Sequence, residues 1–487
     1  MTQPLSLPTS ASLVKFGTDG WRGVIAADFT FERLAKVAWA AAQVLARVYG
    51  SSTASQTIVV GYDRRFLAEE FAQTVAEVVS DAGFDVLLAN TFAPTPALSW
   101  AVKEQNALGA LVITASHNPG QYSGLKIKGA FGGSVPPDIT QQVEALLAQE
   151  STPPSTSTPG ALKTFDPWSS YCEVLQSKVD IQCIHEAIAT GKLAVFVDVM
   201  HGAAAGGLAQ LLGISIQELN SDRDPLFGGG APEPLPRYLD LIFSTIKAHH
   251  VKAATPLSVG LVFDGDGDRI AAVDGHGNFL SPQILIPILI EHLAARRGFS
   301  GEVIKTISGT DLIPRVAALL NLPIFETPIG YKYIADRMLE ASNILLGGEE
   351  SGGIGYGNHI PERDGLLSGL YLLEAVAQSG QDLSDLYAKL QAKTDYRSFY
   401  DRIDLPLSGM EVKARLIEEL QTQPLQEIAG LAVNECLTSD GYKFRLVDGS
   451  WLLIRFSGTE PVLRLYCEAG TREQVGQILD WAKSWAT

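Results

Sequence analysis

Residues 109–120 read GALVITASHNPG, an apolar segment that runs into a turn of hydroxyl, amide and imidazole side chains. The composition of residues 109–114 predicts a buried strand, and Pro119 with Gly120 predicts a tight turn behind it. Ser116 therefore lies just beyond the end of a strand. A polar turn without a chemical role has the same composition, so this stretch alone leaves both interpretations open.

Two more short apolar segments, residues 57–61 and 85–89, precede this one, and residues 31–48 and 68–82 have helical spacing. Short apolar strands that alternate with helices predict a parallel sheet covered on both faces. Ligands bind such open sheets beyond the carboxyl ends of the strands. The fold of this region therefore puts Ser116 where a functional site is expected.

The composition changes along the rest of the chain. Residues 151–160 read STPPSTSTPG, which is typical of a linker, and two further α/β units follow it. Beyond them, predicted strands at residues 442–446, 451–456 and 463–468 lie close together before a final helix. The chain of 487 residues thus has room for about three to four domains.

The charge of the chain excludes some classes of function. Hydrophobic residues make up 46% of the sequence and charged residues 19%, which is an ordinary globular balance. The formal net charge of −17 repels a nucleic-acid backbone and an anionic membrane surface. An anionic substrate remains possible where Arg and Lys side chains cluster locally.

The four cysteines, Cys172, Cys183, Cys436 and Cys467, form no CxxC pair and predict reduced thiols. The first residues lack the basic start and apolar core of a signal peptide. We therefore expect a cytoplasmic protein.

Residues 264–269 read DGDGDR and follow a predicted strand at residues 258–263. Carboxylates at alternate positions can face one ion, and all-oxygen ligands suit Mg²⁺ or Ca²⁺ rather than Zn²⁺. An EF-hand does not fit, because Arg269 stands where its Gly is needed and Gly275 where its Glu is needed. The alternative, a solvated acidic turn, would leave three carboxylates repelling one another.

Residues 347–353 read GGEESGG after another predicted strand. Glu349 and Ser351 are two positions apart, so we expect them to share a face that Glu350 opposes. A carboxylate beside a hydroxyl suits vicinal sugar hydroxyls, although a Gly-rich turn explains the composition equally well.

Two loops carry arginines that suit phosphate. Residues 455–461 read RFSGTEP, in which an Arg fork, two hydroxyls and a glycine resemble a phosphate cradle rather than a Walker loop. Residues 16–23 read FGTDGWRG and offer Arg22 as a second phosphate-binding or base-orienting group. Polar surface turns are the alternative interpretation of both loops.

A serine hydrolase is not favoured. Adjacent residues on an extended loop point in opposite directions, so we expect His117 to be a poor base for Ser116. The GxSxG elbow of many hydrolases is also absent from the sequence.

Taken in order, TASHNP, DGDGDR, GEES and RFSGTEP resemble the motifs of the α-D-phosphohexomutase superfamily, from Gly17 to about Arg464. That superfamily includes phosphoglucomutases, phosphomannomutases and phosphoglucosamine mutases. The resemblance implies three α/β domains with mixed, largely parallel sheets and a smaller C-terminal α+β domain around a central cleft. With the composition changes, the expected domains are residues 1–160, 161–277, 278–390 and 391–487.

The resemblance also implies a role for each motif residue. Ser116 would carry the transferable phosphoryl group and, with the aspartates of the DGDGDR loop, hold Mg²⁺. The implied metal ligands are Ser116, Asp264, Asp266 and Asp268. The implied catalytic residues are Ser116, Lys126 as general acid/base, Arg22, His117 and Arg269. The implied substrate-binding residues are Lys332, Glu349, Ser351, Arg455, Ser457, Gly458 and Thr459.

The sequence departs from the usual pattern of the family at a few positions. Ser123 stands where the family usually has Asn. Gly267 stands where glucosamine mutases typically carry Ala, and GEES replaces their GEQS. The last two departures favour a neutral sugar, and we expect glucose 1-phosphate to be preferred over mannose 1-phosphate.

The implied enzyme interconverts hexose 1-phosphates and hexose 6-phosphates through a phosphoserine. A hexose 1,6-bisphosphate would be its intermediate and activator, and small hexose phosphates its partners, with neither nucleic acid nor membrane. Three alternatives stay open: a hexose-1,6-bisphosphate synthase, a catalytically silent sugar-phosphate-binding protein and a phosphatase. The oligomeric state does not follow from the sequence.

Overall fold

The computed structural model describes residues 14–149, 158–252, 257–457 and 460–487. Most of the predicted linker at residues 151–160 therefore lies outside the described residues. The chain divides into two compact units. One comprises residues 1–279 and 352–382, and the other comprises residues 280–351 and 383–487.

Over the described residues the chain forms fifteen α-helices and twenty-two strands, numbered here in chain order. The helices are α1 (Phe31–Thr53), α2 (Ala68–Asp81), α3 (Thr95–Glu104), α4 (Pro137–Leu147), α5 (Ser169–Lys178), α6 (Ile181–Ala189), α7 (Gly207–Leu212), α8 (Asp240–Lys252), α9 (Pro282–Glu291), α10 (Leu312–Leu319), α11 (Tyr331–Glu340), α12 (Gly365–Ser379), α13 (Leu383–Thr394), α14 (Met410–Thr422) and α15 (Arg472–Ala486). The strands are β1 (Phe16–Gly17), β2 (Gly20–Val24), β3 (Thr57–Tyr62), β4 (Asp85–Ala89), β5 (Gly109–Ile113), β6 (Tyr122–Gly129), β7 (Leu162–Phe165), β8 (Leu193–Asp198), β9 (Gln217–Leu219), β10 (Leu257–Phe263), β11 (Ile270–Val273), β12 (Phe279–Leu280), β13 (Glu302–Thr306), β14 (Ile324–Thr327), β15 (Ile344–Gly348), β16 (Ile354–Tyr356), β17 (Phe399–Pro406), β18 (Glu427–Ile428), β19 (Leu431–Leu437), β20 (Tyr442–Leu446), β21 (Trp451–Phe456) and β22 (Val462–Ala469).

The first unit contains a seven-stranded sheet with the order β1-β2-β6-β5-β3-β4-β7. Strands β5, β3, β4 and β7 run parallel, whereas β6, β2 and β1 are antiparallel to their neighbours. Every residue of β5 is buried, as expected for a central strand between helical layers. The turn that carries Ser116 joins β5 to its antiparallel neighbour β6.

Helix α1 shows how the local sequence builds this unit. It begins after Thr30, whose hydroxyl accepts a hydrogen bond from the Arg33 N–H at 3.3 Å and caps the helix. Its Ala- and Val-rich face is buried in the core that also contains Phe29 and Phe71. Small side chains on this face let the helix lie close to the sheet.

The second sheet of the first unit has the order β12-β11-β10-β8-β9. Strands β10, β8 and β9 run parallel, and β11 returns antiparallel beside β10. The DGDGDR loop is the turn between β10 and β11. Helix α12 begins after Asp364, whose carboxylate accepts from the Leu367 N–H at 2.9 Å.

The second unit contains parallel strands in the order β14-β13-β15 and an antiparallel sheet with the order β17-β22-β21-β20-β19-β18. Helices α14 and α15 contribute leucine, isoleucine and valine side chains to the core of the antiparallel sheet. Three α/β sheets and one C-terminal antiparallel sheet with helices confirm the predicted fold class. The four domain boundaries stay a prediction. None of the helices in the described part of the chain is long and apolar enough to cross a membrane.

Candidate active site

The turn between β5 and β6 holds Ser116 in an unusual backbone conformation. Ser116 has φ 51°, in the left-handed region that few non-glycine residues adopt. Its N–H donates to Thr114 Oγ1 at 2.9 Å, and the Thr114 N–H donates to Gly124 O at 3.0 Å. The serine is 1% exposed. The loop thus fixes a buried hydroxyl in a turn closed by hydrogen bonds.

The side chains of Ser116 and His117 lie close together, so the expectation that they diverge is wrong. Ser116 Oγ and His117 Nδ1 are 3.3 Å apart, within hydrogen-bond distance. The expectation assumed an extended backbone, in which successive side chains alternate, but the left-handed φ of Ser116 removes that alternation. Burial, with the charges of Arg269 and Arg22, lowers the pKa of His117 to about 2. The imidazole is therefore neutral.

The three aspartates of the DGDGDR loop converge. Asp264, Asp266 and Asp268 are fully buried, and one oxygen from each lies within 4.8 Å of the others. The loop is a turn rather than an extended segment, and Gly267 has φ 71°, a conformation that favours glycine. Ser116 Oγ donates to Asp264 Oδ2 at 3.1 Å. The serine and the acidic cluster therefore form one site.

The chemistry of this cluster fits a hard divalent cation such as Mg²⁺. Burial and the carboxylates of Asp266 and Asp268 hold the pKa of Asp264 well above its usual range. Asp266 Oδ1 and Asp268 Oδ1 are buried without a hydrogen-bond partner in the described part of the chain. A bound cation would relieve the repulsion among the three carboxylates, and both of these oxygens could serve as its ligands.

Lys126 is the central cation of the site. It lies on β6, and its Nζ is 2.8 Å from Asp19, 2.8 Å from Asp266 and 2.9 Å from Asp268. Burial favours the neutral amine, but these three carboxylates outweigh burial and raise the pKa of Lys126 above its usual value. The predicted general acid/base therefore contacts the predicted metal ligands directly.

Sequence analysis missed several charged residues of this site. Arg363 Nη2 lies 2.5 Å from Asp19 Oδ2 and 2.8 Å from Asp268 Oδ2. Next to this pair, Glu362 Oε2 accepts from Lys128 Nζ at 2.5 Å. Asp19 belongs to the FGTDGWRG motif, so its glycine neighbours were an available signal. For Glu362 and Arg363 the signal was a run of charges directly before an apolar helix.

Two predicted arginines flank the serine turn. Arg22 Nη1 donates to Asn118 Oδ1 at 2.6 Å, which links β2 to the turn. The Arg269 N–H donates to Asp264 Oδ1 at 3.1 Å, and its Nε is 3.9 Å from Asp268 Oδ1. The first unit therefore brings together all the residues predicted to act on the reacting phosphate.

Ser123, which departs from the family pattern, lies on β6 opposite Gly23. It is fully buried, and its hydroxyl has no hydrogen-bond partner among the described residues. The departure therefore falls on the strand that also carries Lys126.

The second unit carries the predicted sugar loop. Glu349 is 6% exposed and directly follows β15. The Ser351 hydroxyl is buried and has no hydrogen-bond partner within the described ranges. Glu350 Oε2 accepts from Ser308 Oγ at 2.5 Å and from Thr306 Oγ1 at 3.2 Å. Glu350 is therefore held by the protein itself.

Lys332, the other predicted sugar-binding residue, lies in the first turn of α11. Its Nζ is 4.5 Å from the centre of the Tyr333 ring. The quadrupole of the ring attracts the cation and favours this position of the Lys332 amine.

The predicted phosphate loop follows β21. Arg455 Nε lies 3.0 Å from Asp440 Oδ1, which orients the guanidinium group. Lys413 Nζ donates to Ser457 O at 2.5 Å, a second cation that sequence analysis did not identify. Gly458 and Thr459, the other predicted residues of this loop, lie outside the described residues.

Four domain families match the chain in order. They are the α/β/α domains I, II and III of phosphoglucomutase/phosphomannomutase, at residues 13–153, 169–277 and 281–394, and its C-terminal domain at residues 411–481. The chain belongs to the phosphoglucomutase/phosphomannomutase family. The resemblance noted from the motifs is thereby confirmed, and the family member is an enzyme of the isomerase class.

Relatives of this phosphoglucomutase/phosphomannomutase family member have several substrates in their names. A phosphoglucomutase/phosphomannomutase of Thermococcus kodakarensis is 29% identical, with 96% of each chain covered. A phosphoglucosamine mutase of Thermotoga sp. (strain RQ2) is also 29% identical, over 96% of this chain and 97% of the relative. A solved structure from Thermus thermophilus, described as a phosphomannomutase, is 33% identical with a TM-score of 0.83, covering 98% of this chain and 99% of that one. The names of these relatives place them in one family and differ in the sugar.

Proposed function

We propose that the chain is a phosphohexomutase for neutral sugars, which interconverts glucose 1-phosphate and glucose 6-phosphate and accepts mannose 1-phosphate as a second substrate. The observation that carries the mutase chemistry is the hydrogen bond of 3.1 Å from Ser116 Oγ to Asp264 Oδ2. It puts the serine hydroxyl of the TASHNP turn next to a buried acidic cluster and Lys126. This arrangement supports a phosphoserine that is neutralised by a cation.

The proposed transfer exchanges one phosphorus–oxygen bond for another. The bond between phosphorus and Ser116 Oγ breaks and a bond from phosphorus to a sugar hydroxyl oxygen forms. The sugar hydroxyl gives up its proton, for which the neutral amine of Lys126 is the proposed base, and the departing Ser116 oxygen takes up one proton in exchange. The product is a hexose 1,6-bisphosphate, which returns its other phosphoryl group to Ser116 by the reverse steps. Asp264, Asp266 and Asp268 would hold Mg²⁺, which would supply positive charge for the transferring group. Two of these carboxylates also raise the pKa of Lys126, so their engagement by an ion would make the Lys126 amine easier to deprotonate.

The residues around Ser116 have separate tasks in this proposal. The charges of Arg22 and Arg269 both act on His117 of the serine turn, so they would also stabilise the transferring phosphoryl group. The neutral His117 can share a hydrogen bond with the leaving Ser116 oxygen. Arg455 and Ser457 are proposed to bind the phosphate that does not react, as Arg forks and hydroxyls commonly do.

The preference for a neutral sugar rests on the GEES loop. Glu349 and Ser351 would bind the O3 and O4 hydroxyls, which glucose and mannose present identically. Glu350 is already held by the hydroxyls of Thr306 and Ser308, so it is not available to an amino group at C2. This supports glucose and mannose over glucosamine.

A phosphoglucosamine mutase is the second candidate, because several relatives of similar identity bear that name. The test is a comparison of kcat/KM for glucose 1-phosphate, mannose 1-phosphate and glucosamine 1-phosphate, each with and without added hexose 1,6-bisphosphate. We expect glucose 1-phosphate to be the best substrate. A higher kcat/KM for glucosamine 1-phosphate would replace the first candidate by the second. Net accumulation of hexose 1,6-bisphosphate, with a second hexose phosphate or another phosphoryl compound as the donor, would identify a synthase instead.

A further inference from the structure

The inner side of the serine turn is lined with peptide carbonyls, and four of them face one guanidinium group. Arg65 Nη2 donates to Ser116 O at 2.6 Å and to Asn118 O at 2.7 Å. Arg65 Nη1 donates to Pro119 O and to Tyr122 O, both at 3.0 Å. One planar group thus contacts four carbonyls of the turn, a geometry that a lysine cannot reproduce.

Arg65 is itself held in place on several sides. It is 0% exposed, its Nε is 3.2 Å from Asp63 Oδ2, and its N–H donates to Asp63 Oδ1 at 3.0 Å. The Phe227 ring lies against the guanidinium group, with 4.8 Å from Cζ to the ring centre. The Arg65 carbonyl accepts from Arg223 Nη2 at 3.1 Å. A buried charge with so many fixed contacts keeps one orientation.

Asp63 connects both peptide groups that flank Ser116. Its carboxylate is hydrogen-bonded to the Thr114 side chain, whose hydroxyl accepts the Ser116 N–H. The same carboxylate orients Arg65, which binds the Ser116 carbonyl. A left-handed serine is unfavourable by itself and persists where the surroundings determine it. Here those surroundings are Asp63, Thr114 and Arg65.

The direction of Ser116 Oγ depends on that backbone conformation. The hydroxyl is directed at Asp264 while the peptide carbonyl of the same residue is directed at Arg65. Gly265 of the metal loop packs against the same carbonyl, since a Cβ there would lie 2.4 Å from Ser116 O. A shift of the turn would therefore move the phosphoryl carrier relative to the metal loop.

We propose that Arg65, oriented by Asp63, is a positioning residue for phosphoryl transfer, which keeps Ser116 in its left-handed conformation in both the phosphorylated and the free state. The inference rests on the proposed function. Both terminal nitrogens of Arg65 donate to carbonyls of the turn, so its contribution is to the geometry of the serine. Misplacement of a reacting group by about 1 Å can cost roughly 100-fold in rate.

The test compares Arg65→Lys with Arg64→Lys. Arg64 is the adjacent residue, and its guanidinium group contacts Ser221 O and the Phe92 ring rather than the serine turn, which makes it a matched control. We expect Arg65→Lys to lower kcat roughly 10- to 100-fold with KM for the sugar phosphate within about twofold of wild type. We expect Arg64→Lys to keep the wild-type kcat and KM. Circular dichroism at the assay temperature verifies that each variant is folded.

Phosphorus NMR of the phosphorylated enzymes supplies a readout that a loss of stability alone does not change. The phosphoserine resonance should be displaced or broadened in Arg65→Lys and unchanged in Arg64→Lys. If Arg65→Lys matches Arg64→Lys in kcat and in the resonance, the inference is overturned. If Arg65→Lys does not fold, Asp63→Asn is the second variant, because it removes the orienting carboxylate at nearly constant size. A wild-type kcat in Asp63→Asn would also overturn the inference. Absence of phosphate on wild-type Ser116 would instead contradict the proposed function.

Discussion

Lys126 Nζ lies 2.8 Å from Asp19 Oδ2, so the proposed general acid/base is joined to a residue at the start of the chain. Asp19 also contacts Arg363, which in turn contacts Asp268. Lys126 therefore belongs to a buried network of alternating charges rather than to an isolated pair. The position of its amine depends on partners from three distant segments.

We expect Asp19→Asn to impair turnover, because it removes a charged partner from both Lys126 and Arg363. Losing one charged hydrogen bond costs about 1.5 to 3 kcal/mol, which is roughly 10- to 150-fold in kcat. Steady-state kinetics on glucose 1-phosphate checks this. Asp28→Asn, at an aspartate whose side chain is 45% exposed, is the control. Equal activity of the two variants would show that Asp19 does not contribute to turnover.

We expect Ser116→Ala to lose nearly all turnover while the protein stays folded, since Ser116 supplies the hydroxyl that contacts Asp264. Intact-mass analysis and peptide mapping of the active wild type should find a phosphate on Ser116. Ser123→Ala is a matched control, because Ser123 is equally buried on the neighbouring strand and its hydroxyl lacks a hydrogen-bond partner among the described residues. Phosphate found reproducibly on another serine would contradict the assignment.

We expect Mg²⁺ to bind at Asp264, Asp266 and Asp268. Chelation followed by dialysis should stop turnover, and added Mg²⁺ should restore it. A ligand at 100 times its Kd that binds only the folded state stabilises it by about 2.7 kcal/mol, so Mg²⁺ should raise the Tm of wild type. It should not raise the Tm of Asp268→Asn, whereas the exposed control Asp240→Asn should respond like wild type. Full activity in excess chelator would argue against a metal-dependent reaction.

We expect Glu349→Ala to lower kcat/KM for glucose 1-phosphate and mannose 1-phosphate together, by roughly 10- to 150-fold. The reason is that both sugars present the same O3 and O4 groups to this carboxylate. Glu340→Ala, at an exposed position on α11, should leave both values unchanged. A loss confined to glucose 1-phosphate would show that Glu349 does not bind shared hydroxyls.

We expect Asp311 to make the second unit sensitive to acid. Burial alone would raise its pKa, but Lys443 at 3.6 Å, Lys305 at 3.8 Å and Arg445 lower the pKa from 3.8 to about 2. Because the folded pKa is below the unfolded one, the ionised carboxylate stabilises the fold above about pH 4, and this stabilisation is lost as the pH falls towards 2. It amounts to roughly 2 kcal/mol.

Chemical unfolding at pH 7 and pH 3 measures that contribution. Asp311→Asn should be less stable than wild type at pH 7, and the difference should shrink at pH 3. Asp385→Asn, at an exposed aspartate of the same unit, should follow wild type at both values. A constant difference between Asp311→Asn and wild type at both pH values would exclude ionisation as the cause.

Local sequence patterns were enough to predict many strands and the loops that follow them. The strands at residues 442–446 and 451–456 were predicted at their observed bounds, because YKFRL alternates apolar and charged side chains and WLLIRF begins with an apolar run. The turns between strands need Gly, Pro, Asn or Ser. Ser116 and the DGDGDR aspartates could be named as candidates for a similar reason, since each motif is a short run of neighbouring residues.

Only the tertiary structure decided which distant residues contact one another and how the backbone of Ser116 is held. Asp19 and Arg363 are 344 positions apart, and no local pattern joins them, because long-range ion pairs depend on how helices and strands pack. The contact between Ser116 and His117 depends on a positive φ that a serine rarely adopts and that composition does not encode. The four carbonyls around Arg65 face one guanidinium group only because the turn folds over a side chain that precedes Ser116 by 51 residues.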